Sequence, residues 1–473
     1  MEFKKGAGTL IFAWACILLI GYAYIFWLTR YWPAEEYGRY SLVISILFWI
    51  EIAVINGLPY ALVKFVSAEP ENAGGLLVRI AWMQGAVTLV LFILTVLSAP
   101  LIGRLLNDGL LVFHLRFAAA AILFYGFFHL LVSFQNGIRR FSRQAFLLVF
   151  YALCKLGLGI ALVSLMHTVT AALLANTSAA LVALAAGFLL VKPVPRAGPV
   201  QGLAIARFAF PAAVYFLVLN LFFHLDLWQI NYFLGFETAA YYSVAKSLAK
   251  IPFFLFMGLS TTLMPILVSH LASGENRKAS DLISGAARFL WMLTAPVAVS
   301  FSLLSGEMIK LLFKAEYSSA APLLGVLVWS TVFLSFLFLF TTVLNSDHRP
   351  GLSLGITAFA VLFAAGLGAY LIPRLGAAGG AIAMFASIGI GAAGSQVLVF
   401  RRFKARFPAA SLLKTGLAAM IFWPLIHFWR PGGFSLIPAF AAGFGMYGFL
   451  LVAMKEISMS EIRGLLGRDS ACI

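Results

Sequence analysis

The chain has 473 residues, 62% of them hydrophobic and 11% charged, with a mean hydropathy of +0.99. A soluble protein of this length needs far more polar surface, because its outside faces water. The formal net charge of +16 would suit nucleic acid on a soluble protein, so the placement of the basic residues has to decide what it means.

Apolar windows of about twenty residues, enough to cross a hydrocarbon core of about 30 Å, recur from end to end. The short alternating segments of a β-barrel are absent. The N-terminal MEFKKGAG leads into TLIFAWACILLIGYAYIFWL, which is too long for a signal peptide and reads as an uncleaved first helix. In chain order the hydropathy window gives about fourteen spans, at 9–29, 38–57, 77–98, 112–134, 144–165, 169–191, 208–234, 239–268, 287–305, 322–344, 352–372, 377–400, 411–428 and 434–453. The expected fold is an all-α polytopic membrane protein, and no loop is long enough to form a soluble domain.

Basic residues alternate in density across these spans. One side holds Lys4, Lys5, Lys64, Arg139, Arg140, Arg143, Lys192, Arg196, Arg277, Lys278, Arg349, Arg401, Arg402, Lys404, Arg406 and the tail residues Lys455, Arg463 and Arg468. The other holds only Arg30, Arg39, Arg104, Arg116, Lys310, Lys314, Arg374 and Arg430. The positive-inside rule then places both termini in the cytoplasm. The charge is explained by orientation and contact with anionic lipid, and no nucleic acid is expected as a partner.

Two stretches look related: TRYWPAEEYGRYSLVISILFW from Thr29 and NYFLGFETAAYYSVAKSLAKI from Asn231. Aligning Tyr40 with Tyr242 also aligns Ser41 with Ser243, Ser45 with Ser247 and Glu35 with Glu237; one helical turn further on, Pro59 falls on Pro265. Both stretches begin on the same side of the membrane, so the repeat is parallel. The expected organisation is a six-helix lobe at 1–191, a cytoplasmic linker at 192–207, a second six-helix lobe at 208–400, and two extra helices with a tail at 401–473.

Five ionisable residues fall well inside spans: Glu51, Lys155, Asp226, Lys246 and Lys250. Such charges are costly in a membrane and face a cavity or one another. By helical rise Asp226 lies roughly 12 Å below the outer surface, and Lys246 and Lys250 roughly 10 and 16 Å below it. Asp226 is therefore the candidate counter-ion of a basic cavity wall carrying Lys246 and Lys250. Glu51 and Lys155 form a candidate pair in the first lobe. A structural salt bridge is the alternative for either pair, and His224 reads as a hydrogen-bonded core residue ahead of a proton relay. Excess lysine at depth favours an anionic ligand. Cys16, Cys154 and Cys472 have no metal or disulfide spacing. No catalytic constellation, metal site or cofactor is expected, and the protein is not expected to be an enzyme. GAAGGAIA at 376–383 and GIGAAG at 389–394 are small-residue helix contacts rather than phosphate loops.

Several segments resemble the polysaccharide-transport (Wzx-like) oligosaccharide flippases of the multidrug/oligosaccharidyl-lipid/polysaccharide (MOP) exporter superfamily. They are LTRYWPAEEYGRYSL, NYFLGFETAAYYSVAKSLAKIPFF, LMPILVSHLASGE, LLFKAEYSSAAPLLGVLVWS and YLIPRLGAAGGAIAMFAS. The resemblance implies two six-helix lobes around a central cavity that opens alternately to each side of a bacterial cytoplasmic membrane. The implied cargo is an undecaprenyl-diphosphate-linked oligosaccharide repeat unit for O-antigen, capsule or exopolysaccharide. Arg30, Lys155, Lys246 and Lys250 become the cavity cations; Asp226, Glu51 and His224 become candidates for coupling to H+ or Na+. Expected partners are the lipid-linked cargo, the bilayer and polysaccharide polymerase or export machinery. The two extra C-terminal helices depart from the twelve-span pattern and keep a lipid II flippase as an alternative. A multidrug or cation antiporter on the same scaffold is the other.

Overall fold

The computed structural model describes residues 2–457 except 107, 192–201, 255–266, 268, 269, 271, 272, 274, 348, 406–408 and 430, with side chains from residue 8 onward. The greater part of the expected linker, the C-terminal end of the eighth span with Pro265, Arg406, Arg430, Cys472 and the tail arginines lie outside the described residues.

All regular structure among the described residues is helical, as it must be where no water can satisfy a backbone amide. Helix α1 (Glu2–Tyr31) turns at Pro33 into α2 (Ala34–Asn56), which passes through Gly57 into α3 (Leu58–Ala68). Pro59 occupies the first turn of α3, where a missing amide hydrogen costs nothing. Then come α4 (Ala73–Leu105), α5 (Gly109–Gly137), α6 (Phe141–Met166), α7 (Val169–Leu190), α8 (Gly202–Asn220) and α9 (Leu225–Ala249), which is interrupted by a kink at Gly235. The second half of the chain gives α10 (Asn276–Leu312), α11 (Ala320–Ser346), α12 (Pro350–Leu375) and α13 (Ala377–Phe403). It ends with α14 (Ala409–Ala419), α15 (Phe422–Trp429) and α16 (Leu436–Ala453).

Thirteen segments among the described residues are long and apolar enough to cross a membrane. The remaining expected span, the eighth at 239–268, runs into residues that are not described. Most helices outrun the hydropathy windows at both ends; the ninth, expected at 287–305, extends from Asn276 to Leu312. A hydropathy window registers only the hydrocarbon-facing middle, whereas backbone hydrogen bonding carries the helix on into the polar interface. Among the described residues, two helix starts are capped by side chains: Asp108 Oδ1 accepts from Leu110 N at 2.8 Å, and Thr168 Oγ1 from Ala171 N at 3.3 Å.

The chain divides into two compact units, residues 1–240 and 241–473. In the first, Leu58, Leu62, Leu76, Ile80, Phe134 and Ile205 form one core that ties α3, α4, α5 and α8 together. Phe128, Leu147 and Ala183 join α5, α6 and α7 in a second. In the second unit, Ile283, Leu290, Phe340, Leu344 and Val399 join α10, α11 and α13. Met292, Ala419, Tyr447 and Leu451 fix the C-terminal helices α14 and α16 to α10. Buried hydroxyls satisfy themselves locally: those of Thr88, Thr294, Ser335 and Thr357 each donate to the carbonyl four residues back, at 2.8–2.9 Å. Large apolar side chains cover the outside, Leu189 at 87% and Phe428 at 84% exposed, which lipid accommodates and water would not.

Candidate functional site

Three polar features interrupt the apolar first unit. The first surrounds Glu51 and Lys155. Glu51 on α2 is buried, and its Oε1 has no hydrogen-bond partner. Lys155 lies fourteen residues into α6, about 21 Å from one end by helical rise, yet it stays half-buried. The two attract each other without a direct ion pair. Beside them stand Tyr125 and His129 of α5 and Tyr151 of α6. The rings of Tyr125 and Tyr151 are 5.2 Å apart and those of Tyr125 and His129 4.5 Å, and Tyr151 donates to Asn176 Oδ1 of α7 at 3.1 Å. Tyr125, His129, Tyr151 and Lys155 all keep part of their surface open near mid-helix. An ammonium, a carboxylate and two phenols thus form one polar cluster at mid-depth, made from α2, α5, α6 and α7. The pairing of Glu51 with Lys155 expected from sequence is a neighbourhood rather than a salt bridge. Tyr125, Tyr151 and His129 went unmarked because aromatic residues in an apolar span read as core.

The second feature is a break in the seventh span. The sequence reads as one helix over 208–234, but α8 stops at Asn220, a 3-10 turn covers Leu221–Phe223, and His224 leaves the helical region at φ −137°. Helix α9 then starts at Leu225, placing Asp226 in its first turn, where Oδ1 accepts from Leu227 N at 2.9 Å. Asp226 therefore sits at the positive end of a half-helix, which gives a carboxylate a reason to be in this apolar run. Its depth also follows from the break and not from an uninterrupted helix. Helix α2 holds both sides of the interruption. Trp49 Nε1 donates to the Leu217 carbonyl at 3.0 Å, and Trp228 Nε1 donates to Ser45 Oγ at 2.9 Å. The two indoles meet edge to face at 5.6 Å, and the His224 ring lies 5.7 Å from Phe48 and 6.2 Å from Trp228. The signal was present in the sequence: Asn220 and Asp226 are residue types that end and begin helices.

The third feature is a charged corner that the sequence reading left as a loop charge. Arg39 donates from Nε to Asp108 Oδ2 at 3.0 Å, from Nη1 to Glu36 Oε1 at 2.9 Å and from Nη2 to Glu35 Oε1 at 3.2 Å. Its guanidinium also lies 4.8 Å from the centre of the Phe236 ring. The chain comes close at this point because Gly38 has no side chain: a Cβ there would collide with the Phe236 carbonyl. Gly235, at φ +83°, supplies the preceding left-handed turn.

Arg30 is exposed at the end of α1. Asp226 belongs to the first compact unit, Lys246 and Lys250 to the second. Lys246 is buried, with its Nζ 5.9 Å from the centre of the Tyr242 ring; Lys250, one turn on, is half-buried.

Comparison with known proteins places this arrangement. The profile of the polysaccharide biosynthesis protein family matches residues 3–270, more than half of the chain, and the MatE profile matches 211–370. An uncharacterized membrane protein of Methanocaldococcus jannaschii, MJ1068, is 26% identical over 160 residues, 34% of this chain. That match spans about a third (32%) of the relative's own length. Among solved structures, the lipid II flippase MurJ in an inward closed conformation superposes with a TM-score of 0.78 at 15% identity, covering 94% of this chain and 99% of MurJ. An inward-facing multidrug resistance MATE family transporter of the MOP superfamily gives 0.67 at 16%, covering 82% and 94%. A MOP superfamily transporter from Pyrococcus furiosus gives 0.63 at 15%, covering 85% and 95%. At these identities the structures report the fold; the profile match over half of the chain decides the family. This multi-pass membrane protein belongs to the polysaccharide biosynthesis protein family.

Proposed function

We propose that the protein moves an undecaprenyl-diphosphate-linked oligosaccharide repeat unit across a bacterial cytoplasmic membrane by alternating access, with both termini in the cytoplasm. The physical task is to carry a charged, sugar-bearing head through a layer that solvates neither charge nor hydroxyl. A polar chamber wetted from one side at a time performs it, while the isoprenoid tail stays in lipid. The observation that carries this reading is Lys155, a cation held at mid-depth with surface still open beside a lone carboxylate oxygen and two phenols. Lys155 attracts diphosphate, and Glu51 weakens that attraction enough for the cargo to leave. Proton or sodium exchange at Glu51 would couple the step, with Asp226 and His224 as further candidates. Lys246, Lys250 and Arg30 are the other cations assigned to cargo. The two six-helix lobes with their linker at 192–207 remain part of this proposal.

In a strain lacking the native gene, the protein restores surface polysaccharide and Lys155→Met does not, at equal protein level in the membrane. Full polymer with Lys155→Met removes the role given to this cation. The superposition on MurJ over nearly the whole chain, together with the C-terminal helices α14–α16, favours a second reading as a lipid II flippase. Rescue of cells depleted of their lipid II flippase would select it. Growth protection against cationic dyes would select the antiporter reading, which the MatE match supports.

A further inference from the structure

We propose that the ends of α3 and α8 in the first unit form a loading site for the diphosphate-sugar head of the cargo, an inference that rests on the flippase reading. Lys64 Nζ stands 3.9 Å from the centre of the Phe208 ring and 5.7 Å from that of Phe65. One turn earlier Tyr60 stacks on Phe208, with centroids 5.8 Å apart and planes at 15°, and meets Phe216 edge-on at 6.1 Å. Leu58, Ala61 and Leu62 of α3 share a core with Ile205 and Ala209 of α8, so the two helices are fixed and this cation–aromatic edge faces outward.

Lys64 is exposed and Tyr60 is 47% exposed. Two further exposed cations belong to the same helical layer: Arg207 on α8, and Arg79 of α4, whose guanidinium packs against Gly202 at the start of α8. Glu69 and Glu71, in the turn after α3, are the acids of this end. Among the described residues none of these three cations makes an ion pair. Aromatic faces hold an ammonium in place without pairing it with a counter-charge, so Lys64 is left to meet an anion. Lys64 is four residues from the end of α3 and Arg207 five from the start of α8, about 6 and 7.5 Å by helical rise. That is headgroup depth, on the side that the basic-residue count assigns to the cytoplasm.

The aromatic part decides the source of the phosphate. A glycerophospholipid head has nothing flat and apolar to lay on Tyr60, whereas a sugar ring presents a face of C–H groups next to its hydroxyls. The ligand is therefore the glycosylated diphosphate, met before it enters the membrane interior.

The test measures binding of undecaprenyl diphosphate carrying one N-acetylglucosamine to the full chain in nanodiscs. Sugar-free undecaprenyl diphosphate and phosphatidylglycerol serve as comparators. Lys64→Ala should weaken both diphosphates about fivefold, with Lys64→Arg restoring them and so showing an intact fold. Tyr60→Ala should weaken the sugar-bearing probe alone, again about fivefold. Wild-type binding left unchanged by both alanine variants overturns the site, as does equal competition by phosphatidylglycerol. If the wild-type chain binds neither diphosphate, the flippase reading itself fails and takes the site with it.

Discussion

Arg39 offers the sharpest quantitative test of the structure. Its side chain is 11% exposed and joins three carboxylates: Asp108, itself 10% exposed, and the more open Glu35 and Glu36 at 63% and 41%. Removing one member of a buried pair costs about 3–5 kcal/mol, because the other charge stays behind. Asp108 retains a bond from Leu110 N at 2.8 Å, which places the loss toward the lower end. Glu35 and Glu36 add little, since exposed pairs are worth about 0–1 kcal/mol each. Arg39→Ala should therefore lose about 3 kcal/mol in equilibrium unfolding from mixed micelles. Arg39→Lys keeps the charge but loses the fork that reaches three acids, and should fall between. In a double-mutant cycle, Arg39→Ala with Asp108→Asn should show a coupling of about 2 kcal/mol. Raising salt should leave that coupling nearly intact, because the Arg39–Asp108 contact is shielded from solvent. A single-mutant loss below about 0.5 kcal/mol, the range of ordinary surface changes, would refute the claim that this corner holds the N-terminal ends of α2 and α5 together.

Other consequences follow from the same physical reasoning. Trp228→Phe and Ser45→Ala each remove the bond between α2 and the far side of the break, costing about 1 kcal/mol apiece; the double variant should cost little more than either, and full additivity would show that the bond is not shared. Replacing Lys246 and Lys250 together with alanine should abolish surface polysaccharide at unchanged protein level, and normal polymer would free them from cargo handling. Glu275, just ahead of α10, is held below the ordinary carboxylate range, first by Lys278 at 2.6 Å and then by His270 at 2.8 Å. A depressed folded-state value means this contact stabilises the start of α10 above the unfolded carboxylate's range and is lost as pH falls through the folded value. Hydrogen exchange at residues 276–280 should therefore rise on acidification relative to Glu275→Gln measured at the same pH, and equal profiles would remove the contact.

The contrast between Glu51 and Asp226 shows how far a linear reading reaches. Both announce themselves as carboxylates inside apolar runs, because a charge in hydrocarbon is conspicuous in any hydropathy profile. Glu51 and Lys155 could be put in one neighbourhood from span order and depth alone. The surroundings of Asp226 could not: Asn220 and Asp226 hint at the helix break at 221–224, but the α2 side chains that hold both sides of it lie far away in sequence. Tyr125, Tyr151, His129 and Arg39 stayed unmarked for a related reason. An aromatic residue or a loop arginine acquires meaning only from what stands opposite it, at sequence separations such as the 69 residues between Arg39 and Asp108.

The sequence by itself determined the solvent, the number and order of the spans, the excess of cations on one side and the presence of costly charges at depth. Each of these follows from local composition, because transfer into lipid is summed residue by residue along a helix. The tertiary structure alone decided where α8 gives way to α9, which indoles of α2 and α9 secure that break, and which phenols surround Lys155. These depend on directional bonds between helices, and such bonds are set by packing that no local window contains.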